Sequence, residues 1–178
     1  MKRLPFVVCS LLLSATPSLA QTDAPRVEVF GGYARNIGNA QGWNASAAVN
    51  ANRWFAVVAD FGGLTAKETE QNTEAEIKAY TYLFGPQFSY RGNKWVTPFG
   101  RVLLGAVNVR ATANTVNQSL EASDTSFSYG AGFGFDIRVN RFVAIRALQA
   151  DYIHTRFLEE GQHNGRFSFG VVLRFGGK

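Results

Sequence analysis

The residues of this chain that could act as base, nucleophile or ligand are few and scattered. The histidines are His154 and His163, and either could serve a serine as general base for acyl transfer. Neither has a serine beside it, because Thr155 follows His154 and Asn164 follows His163. No catalytic residue is assigned on this evidence. Glu68, Glu70, Glu74 and Glu76 crowd one polar stretch that could hold a divalent cation, although a solvated loop is the better account of them. No metal set and no cofactor are expected. Gly130, Gly132 and Gly134 match a fragment of a nucleotide-binding glycine pattern, but the run lacks the helix that would present a phosphate site, so they read as small residues on one strand face.

The charged residues Glu28, Asp60, Arg101, Asp136, Arg138, Arg146 and Arg174 remain, and they share a different chemistry. Each falls on the polar side of an alternating segment. If those sides face a narrow interior, the charges must pair or be hydrated, since an isolated buried ion costs several kcal/mol or more. The pattern predicts a mutually paired network, either a static plug or the exchanging bridges of a gated pore, with all but Asp60 toward one end.

That interior must be built by strands. From Arg26 onward the period is two. Phe127, Tyr129, Ala131, Phe133, Phe135, Ile137 and Val139 alternate with Ser126, Ser128, Gly130, Gly132, Gly134, Asp136 and Arg138. The same alternation runs through Trp43 to Asn52, Tyr80 to Tyr90 and Arg166 to Phe175. Weaker segments complete eight strands at 26–35, 42–52, 55–65, 76–91, 96–110, 125–139, 142–157 and 165–176. Short turns fall at Asn52-Arg53, Gly92-Asn93-Lys94 and Asn140-Arg141. Longer polar loops are expected at 36–41, 66–75, 111–124 and 158–164. Alternating short turns and long loops are the layout of a transmembrane barrel. In the seventh strand Arg146 has one parity and Gln149 and Asp151 the other. A β-bulge between Ala147 and Ala150 would bring all three inside; otherwise one of them sits at the outer interface.

Volume decides which face points inward. An eight-stranded barrel has room inside only to be filled by side chains, and the bulky faces carry most of the 15 Phe and six Tyr. The rings therefore point out, where in water they would form an apolar surface far beyond what monomers tolerate. The outer solvent is expected to be lipid, and a lipocalin-like soluble barrel is the rival. Trp43, Trp54 and Trp95 fall at strand ends, as an aromatic girdle requires. With the first and last strands closing the barrel, Glu28 should face Arg174.

Lys2 and Arg3, the apolar run Leu4 to Leu13 and the small residue Ala20 describe a secretory signal peptide over 1–20. Residues 21–178 then form one β-barrel domain. Cys9, the sole cysteine, leaves with the signal, and the mature chain would have no disulfide. A formal charge of +5, two of it from Lys2 and Arg3, with no basic run, gives no case for nucleic-acid binding.

The mature chain resembles the small bacterial outer-membrane β-barrel proteins, a group that includes the OmpA membrane domain, OmpX and OmpW. The ending Gly170-Val171-Val172-Leu173-Arg174-Phe175 looks like that group's last-strand signal, with Gly170, Leu173 and Phe175 in the diagnostic places. Two features depart from it: Phe169 stands where a polar residue is usual, and Gly176-Gly177-Lys178 follows the aromatic. The resemblance implies an all-β, eight-stranded antiparallel up-and-down transmembrane barrel, recognition by the barrel-assembly machinery, and periplasmic termini. It also implies outer-membrane lipid and lipopolysaccharide as neighbours; the outer-end cations Arg35, Lys78, Arg110, Arg156 and Arg166 lie at the height of lipopolysaccharide phosphates and either pair with them or only mark the water boundary. The expected role is non-catalytic: envelope integrity or surface interaction through four outer loops whose ligand the sequence does not disclose. The alternatives are a narrow passage for small or apolar solutes and a lipid A-modifying enzyme.

Overall fold

The computed structural model describes residues 24–70, 73–115, 118–157 and 160–176, so the expected signal peptide lies outside the described residues. Eight strands follow in chain order: β1 (Val27–Asn36), β2 (Gln41–Asn50), β3 (Phe55–Glu70), β4 (Thr73–Ser89), β5 (Val96–Thr115), β6 (Gln118–Arg138), β7 (Val143–Phe157) and β8 (Glu160–Phe175). Each pairs antiparallel with its chain neighbours, and β8 returns to β1 to close the barrel. Closure satisfies the backbone polar groups between strands, which is what a hydrocarbon surround demands.

Alternation becomes direction in the wall. On β6, Phe127 and Phe133 are each 63% exposed on the outer face, while Ser128 and Asp136 are buried inside. Outward rings and aliphatics from Phe84, Phe88, Val102, Leu104, Tyr152, Phe169, Val171 and Leu173 continue the same band around the barrel. Trp54 and Trp95 mark its edge beside the short turns, and Trp43 faces out toward the opposite end. At those turns one device recurs. The side-chain oxygens of Asn52, Asn93 and Asn140 accept the backbone N–H groups of Trp54, Trp95 and Phe142, tying each turn locally.

The closing seam needs glycine on both sides. Gly32 and Gly170 are register partners, and a Cβ on either would run into the backbone of the other strand. Glu28 faces Arg174 along that same seam, as expected from the sequence.

The bulge is present as well. Phe135 pairs with Leu148 and Asp136 with Arg146, which leaves Ala147 as the extra residue of β7; on the other side, Arg146 pairs with Gly170 and Gln149 with Ser168. Ala147 and Leu148 consequently both face out, and Arg146, Gln149 and Asp151 all face in.

The sequence reading is corrected at the end opposite the termini. Stretches expected as loops are mostly strand: pairing continues to Glu70↔Thr73, Thr115↔Gln118 and Phe157↔Glu160. β5 and β6 reach 20 and 21 residues, whereas about 10 suffice to cross a bilayer. Their outward apolar positions stop at Ala106 and Phe127, and Asn108, Arg110 and Thr125 succeed them. The remainder projects as paired sheet. β1 and β2 stop lower, at Asn36 and Gln41, so β3 from Ala66 upward lacks a partner on that side.

Candidate functional site

The inward side chains stack in three storeys, counted here from the end that carries the termini.

The lowest storey is set by the first residues of β1 and the last of β8. Arg174 donates from Nε to Glu28 Oε1 at 3.0 Å. The other Glu28 oxygen accepts from Arg91 Nη2 at 2.7 Å and from Asn50 Nδ2 at 3.1 Å. One carboxylate thus serves two guanidiniums, and Arg174 Nη1 and Nη2 have no hydrogen-bond partner. Burial pushes the Arg91 guanidinium below its ordinary range; Glu28 opposes that shift and the neighbouring charge of Arg174 adds to it.

One turn of the ladder higher, Arg146 binds Asp136 through Nε at 2.8 Å and Nη2 at 3.1 Å. Its guanidinium carbon lies 4.5 Å from the Phe30 ring centroid and 4.3 Å from that of Phe99. Both rings point inward and supply a cation–π contact to a desolvated charge. Phe30, Ala144 and Val172 pack beside it.

The central storey is the most enclosed. Arg101 forks onto Asp151, with Nε to Oδ1 at 2.9 Å and Nη2 to Oδ2 at 2.8 Å, while its Nη1 lies 3.0 Å from Asp60 Oδ2. That last contact is a charge contact without aligned hydrogen-bond geometry. Arg166 closes the group from β8, at 2.6 Å from Asp60, 2.9 Å from Asp151 and 3.2 Å from Thr81. Gln149 links this storey to the one below: it accepts from Arg146 at 2.7 Å and donates to Asp151 at 2.9 Å and to Asn44 at 3.0 Å. Asn44 in turn donates to Asp60 at 3.0 Å. Room for the carboxylate comes from Gly132, where a Cβ would collide with Asp151 Oδ1.

Six of the seven expected interior charges, Glu28, Asp60, Arg101, Asp136, Arg146 and Arg174, are buried in this stack. The seventh, Arg138, is half-buried and lines the lower mouth with Arg91 and Arg174 instead of entering a pair. It is the last residue of β6, so its side chain reaches water. Arg101 also departs from expectation, since it joins Asp60 at mid-height and not the group at the lower end. The larger correction is Arg166. Read as an outer-end cation at the water boundary, it is 2% exposed and central to the network. β8 begins at Glu160, which puts Arg166 well inside the strand. Arg91 and Asn44 were missed as network members; for Asn44 the signal was its inward parity in β2.

Above the central storey the inner face turns apolar. Leu64, Ala79, Val107, Val109 and Ile153 line a cup of about 340 Å³, with Thr81 and Arg166 also on its wall, open toward the projecting sheet. Outside the barrel, Arg35 and Arg110 are exposed, while Lys78 pairs with Glu76 at 2.9 Å. The side chains of Arg156, His163, Glu68, Glu70 and Glu74 lie outside the described residues. His154 faces outward with its ring 5.0 Å from that of Tyr129, whereas the adjacent hydroxyl, Ser128, is on the inner face and bonds Thr155 at 3.0 Å. That arrangement separates this histidine from this serine across the wall.

A closed barrel whose outer wall is a continuous apolar band and whose lumen is an ion-paired stack is a transmembrane barrel of the bacterial outer-membrane type. The chain belongs to the outer membrane protein beta-barrel domain family, whose profile matches residues 6–175. It is similar to outer membrane protein X of Enterobacter cloacae, 29% identical over 172 residues, covering 93% of this chain and 92% of that one. A 100-residue stretch is 38% identical to the attachment invasion locus protein of Yersinia enterocolitica, covering 56% of this chain and about half, 50%, of that relative. Among solved structures, Ail of Yersinia pestis superposes with a TM-score of 0.64 at 25% identity, over 85% of this chain and 99% of that one. Neisserial surface protein A shares the fold, with a TM-score of 0.60 at 14% identity over 84% of this chain and 96% of that one.

Proposed function

We propose that this protein is a non-catalytic surface protein of the outer membrane, whose working part is the projecting sheet of β3 to β6 and whose lumen is a static plug. On this reading residues 1–20 are removed on export, the termini and short turns face the periplasm, and the sheet stands outside the cell. The observation that carries the reading is the continuation of β5 and β6 beyond their last lipid-facing positions, to Thr115 and Gln118. Strand beyond the bilayer does no work for insertion. It does present open backbone edges, on β3 above Thr65 and on β6 above Ser128, to which an extended segment of another protein can pair. The attachment invasion locus relative makes adhesion the natural form of such contact. Arg35 and Arg110, exposed at this end, are suited to lipopolysaccharide phosphates, and Gly170, Leu173 and Phe175 to the barrel-assembly machinery.

The test shortens the overhang without touching the barrel. Residues 111–122 are replaced by an Asn-Gly turn, and cells displaying either form are scored for adhesion to cultured epithelial cells. The shortened barrel should still show a folded gel band distinct from the boiled one, and adhesion should fall to the level of cells lacking the protein. Equal adhesion by the shortened form would sink the reading.

The paired stack also speaks to the narrow-passage alternative. Planar-bilayer recordings of the unaltered protein should show no steady conductance, and Arg101→Ala or Arg146→Ala should introduce it. A lipopolysaccharide deacylase assay is expected to yield no product either with or without His154→Ala.

A further inference from the structure

The mouth at the terminal end is a cavity of about 460 Å³ whose lining includes Arg53, Arg91, Lys94, Arg138, Arg141 and Arg174, with no carboxylate among the described lining residues. Such a volume is about 10 Å across, little more than one Debye length at physiological salt (about 8 Å), so these cations act on one another and on anything between them. Among the described residues the carboxylate in contact with them is Glu28, just inside, which is already divided between Arg91 and Arg174, while Asp136 acts on Arg91 from one storey deeper. Deeper in the lumen, among the described residues, guanidinium and carboxylate match: Arg101 and Arg166 with Asp60 and Asp151, Arg146 with Asp136. The mouth is where the match fails. It fails with a second mark: Arg174 is 2% exposed and both of its terminal nitrogens are without a hydrogen-bond partner.

We propose that this mouth is a binding site for a multiply charged phosphate-type oxyanion, either a free phosphate compound or a phospholipid headgroup. Guanidinium groups present paired N–H donors that match oxyanion edges. A single carboxylate would offset one of the excess charges, whereas a phosphate or pyrophosphate offsets two or more at once. Turn residues supply Arg53, Lys94 and Arg141, strand ends supply Arg138 and Arg174, and the short tied turns hold them around one opening. The site lies at the opposite end of the barrel from the projecting sheet, so it stands or falls independently of the adhesion reading.

The test uses the refolded mature protein in an uncharged maltoside detergent, with inorganic pyrophosphate as titrant in a calorimeter at low salt and again at physiological salt. One saturable site is expected, weaker at higher salt. Arg138→Gln combined with Arg141→Gln should weaken it by on the order of tenfold. Both side chains are outside the paired stack, and the folded gel band checks that the barrel is intact. Arg35→Gln combined with Arg110→Gln removes the same charge at the far end and should leave affinity unchanged. Absence of saturable binding, or equal weakening by both double variants, would overturn the site, the latter because net charge alone would explain it. Repeating the titration in nanodiscs separates the two sources. Weaker pyrophosphate binding in discs with anionic phospholipid than in zwitterionic ones, with the difference abolished by Arg138→Gln/Arg141→Gln, assigns the headgroup. A difference that persists in that variant, or none at all, assigns the free anion.

Discussion

The centre of the lumen and its lower mouth are both rich in arginine, yet they are opposite kinds of environment. Around Asp60 and Asp151 two guanidiniums meet two carboxylates, and all four groups are sealed from water. At the mouth, among the described residues, six cations line one opening, two of them share Glu28, and most of them reach solvent. A count of arginines would not distinguish the two. The ratio of charges within reach of one another does, and it separates a part that holds the barrel together from a part able to receive something.

The sharpest way to break this contrast is to unbalance the centre. Asp60→Asn with Asp151→Asn leaves Arg101 and Arg166 buried without a carboxylate and should cost about 3–5 kcal/mol. The unfolding midpoint in urea, followed by tryptophan fluorescence in detergent, reads it. An unchanged midpoint would mean that water hydrates the centre and that it is no different from the mouth. Gly132→Val should come next, at about 3 kcal/mol, because its side chain must displace the Asp151 carboxylate. Gln149→Leu removes the link between the storeys and strands one donor of Arg146 and the oxygen of Asn44, for about 2 kcal/mol. The smallest effect belongs to the mouth. Arg138→Gln with Arg141→Gln should shift stability by no more than about 0.5 kcal/mol. Its sign is informative: with like charges relieved, the variant should gain less from added salt than the parent does. A large loss there would make the mouth structural too.

Much of the wall was legible from residue order, because lipid and lumen impose opposite demands on alternate residues. Phe127 and Phe133 against Gly132 and Asp136 carry that contrast through β6. Parity also exposed the bulge, since Arg146 and Asp151 could not both be inside an unbroken β7. The projecting ends of β3 to β6 were not legible. Beyond Asn108 and Thr125 water lies on both faces, nothing enforces alternation, and a polar stretch such as 111–124 reads as loop. The misplacement of Arg166 followed from that same error, since a strand taken to begin at residue 165 puts Arg166 at its edge. Asp60 with Arg101 could not be read as a pair either, because strand tilt, which sets relative height across the barrel, is not written in any one strand.

The spare residue at Ala147 has a consequence for how this chain can change. Losing it would cost only the bulge: Leu148 would follow Arg146 directly, still opposite Phe135, and Gln149, Asp151, Ile153 and Thr155 would keep facing the lumen. A deletion one step away from the bulge is a different matter. Without Tyr152, for example, the strand beyond Asp151 would run with inverted faces and turn Ile153 and Thr155 toward lipid. A lineage could therefore drop Ala147 in a single small step, whereas the regular positions of β7 are closed to such changes.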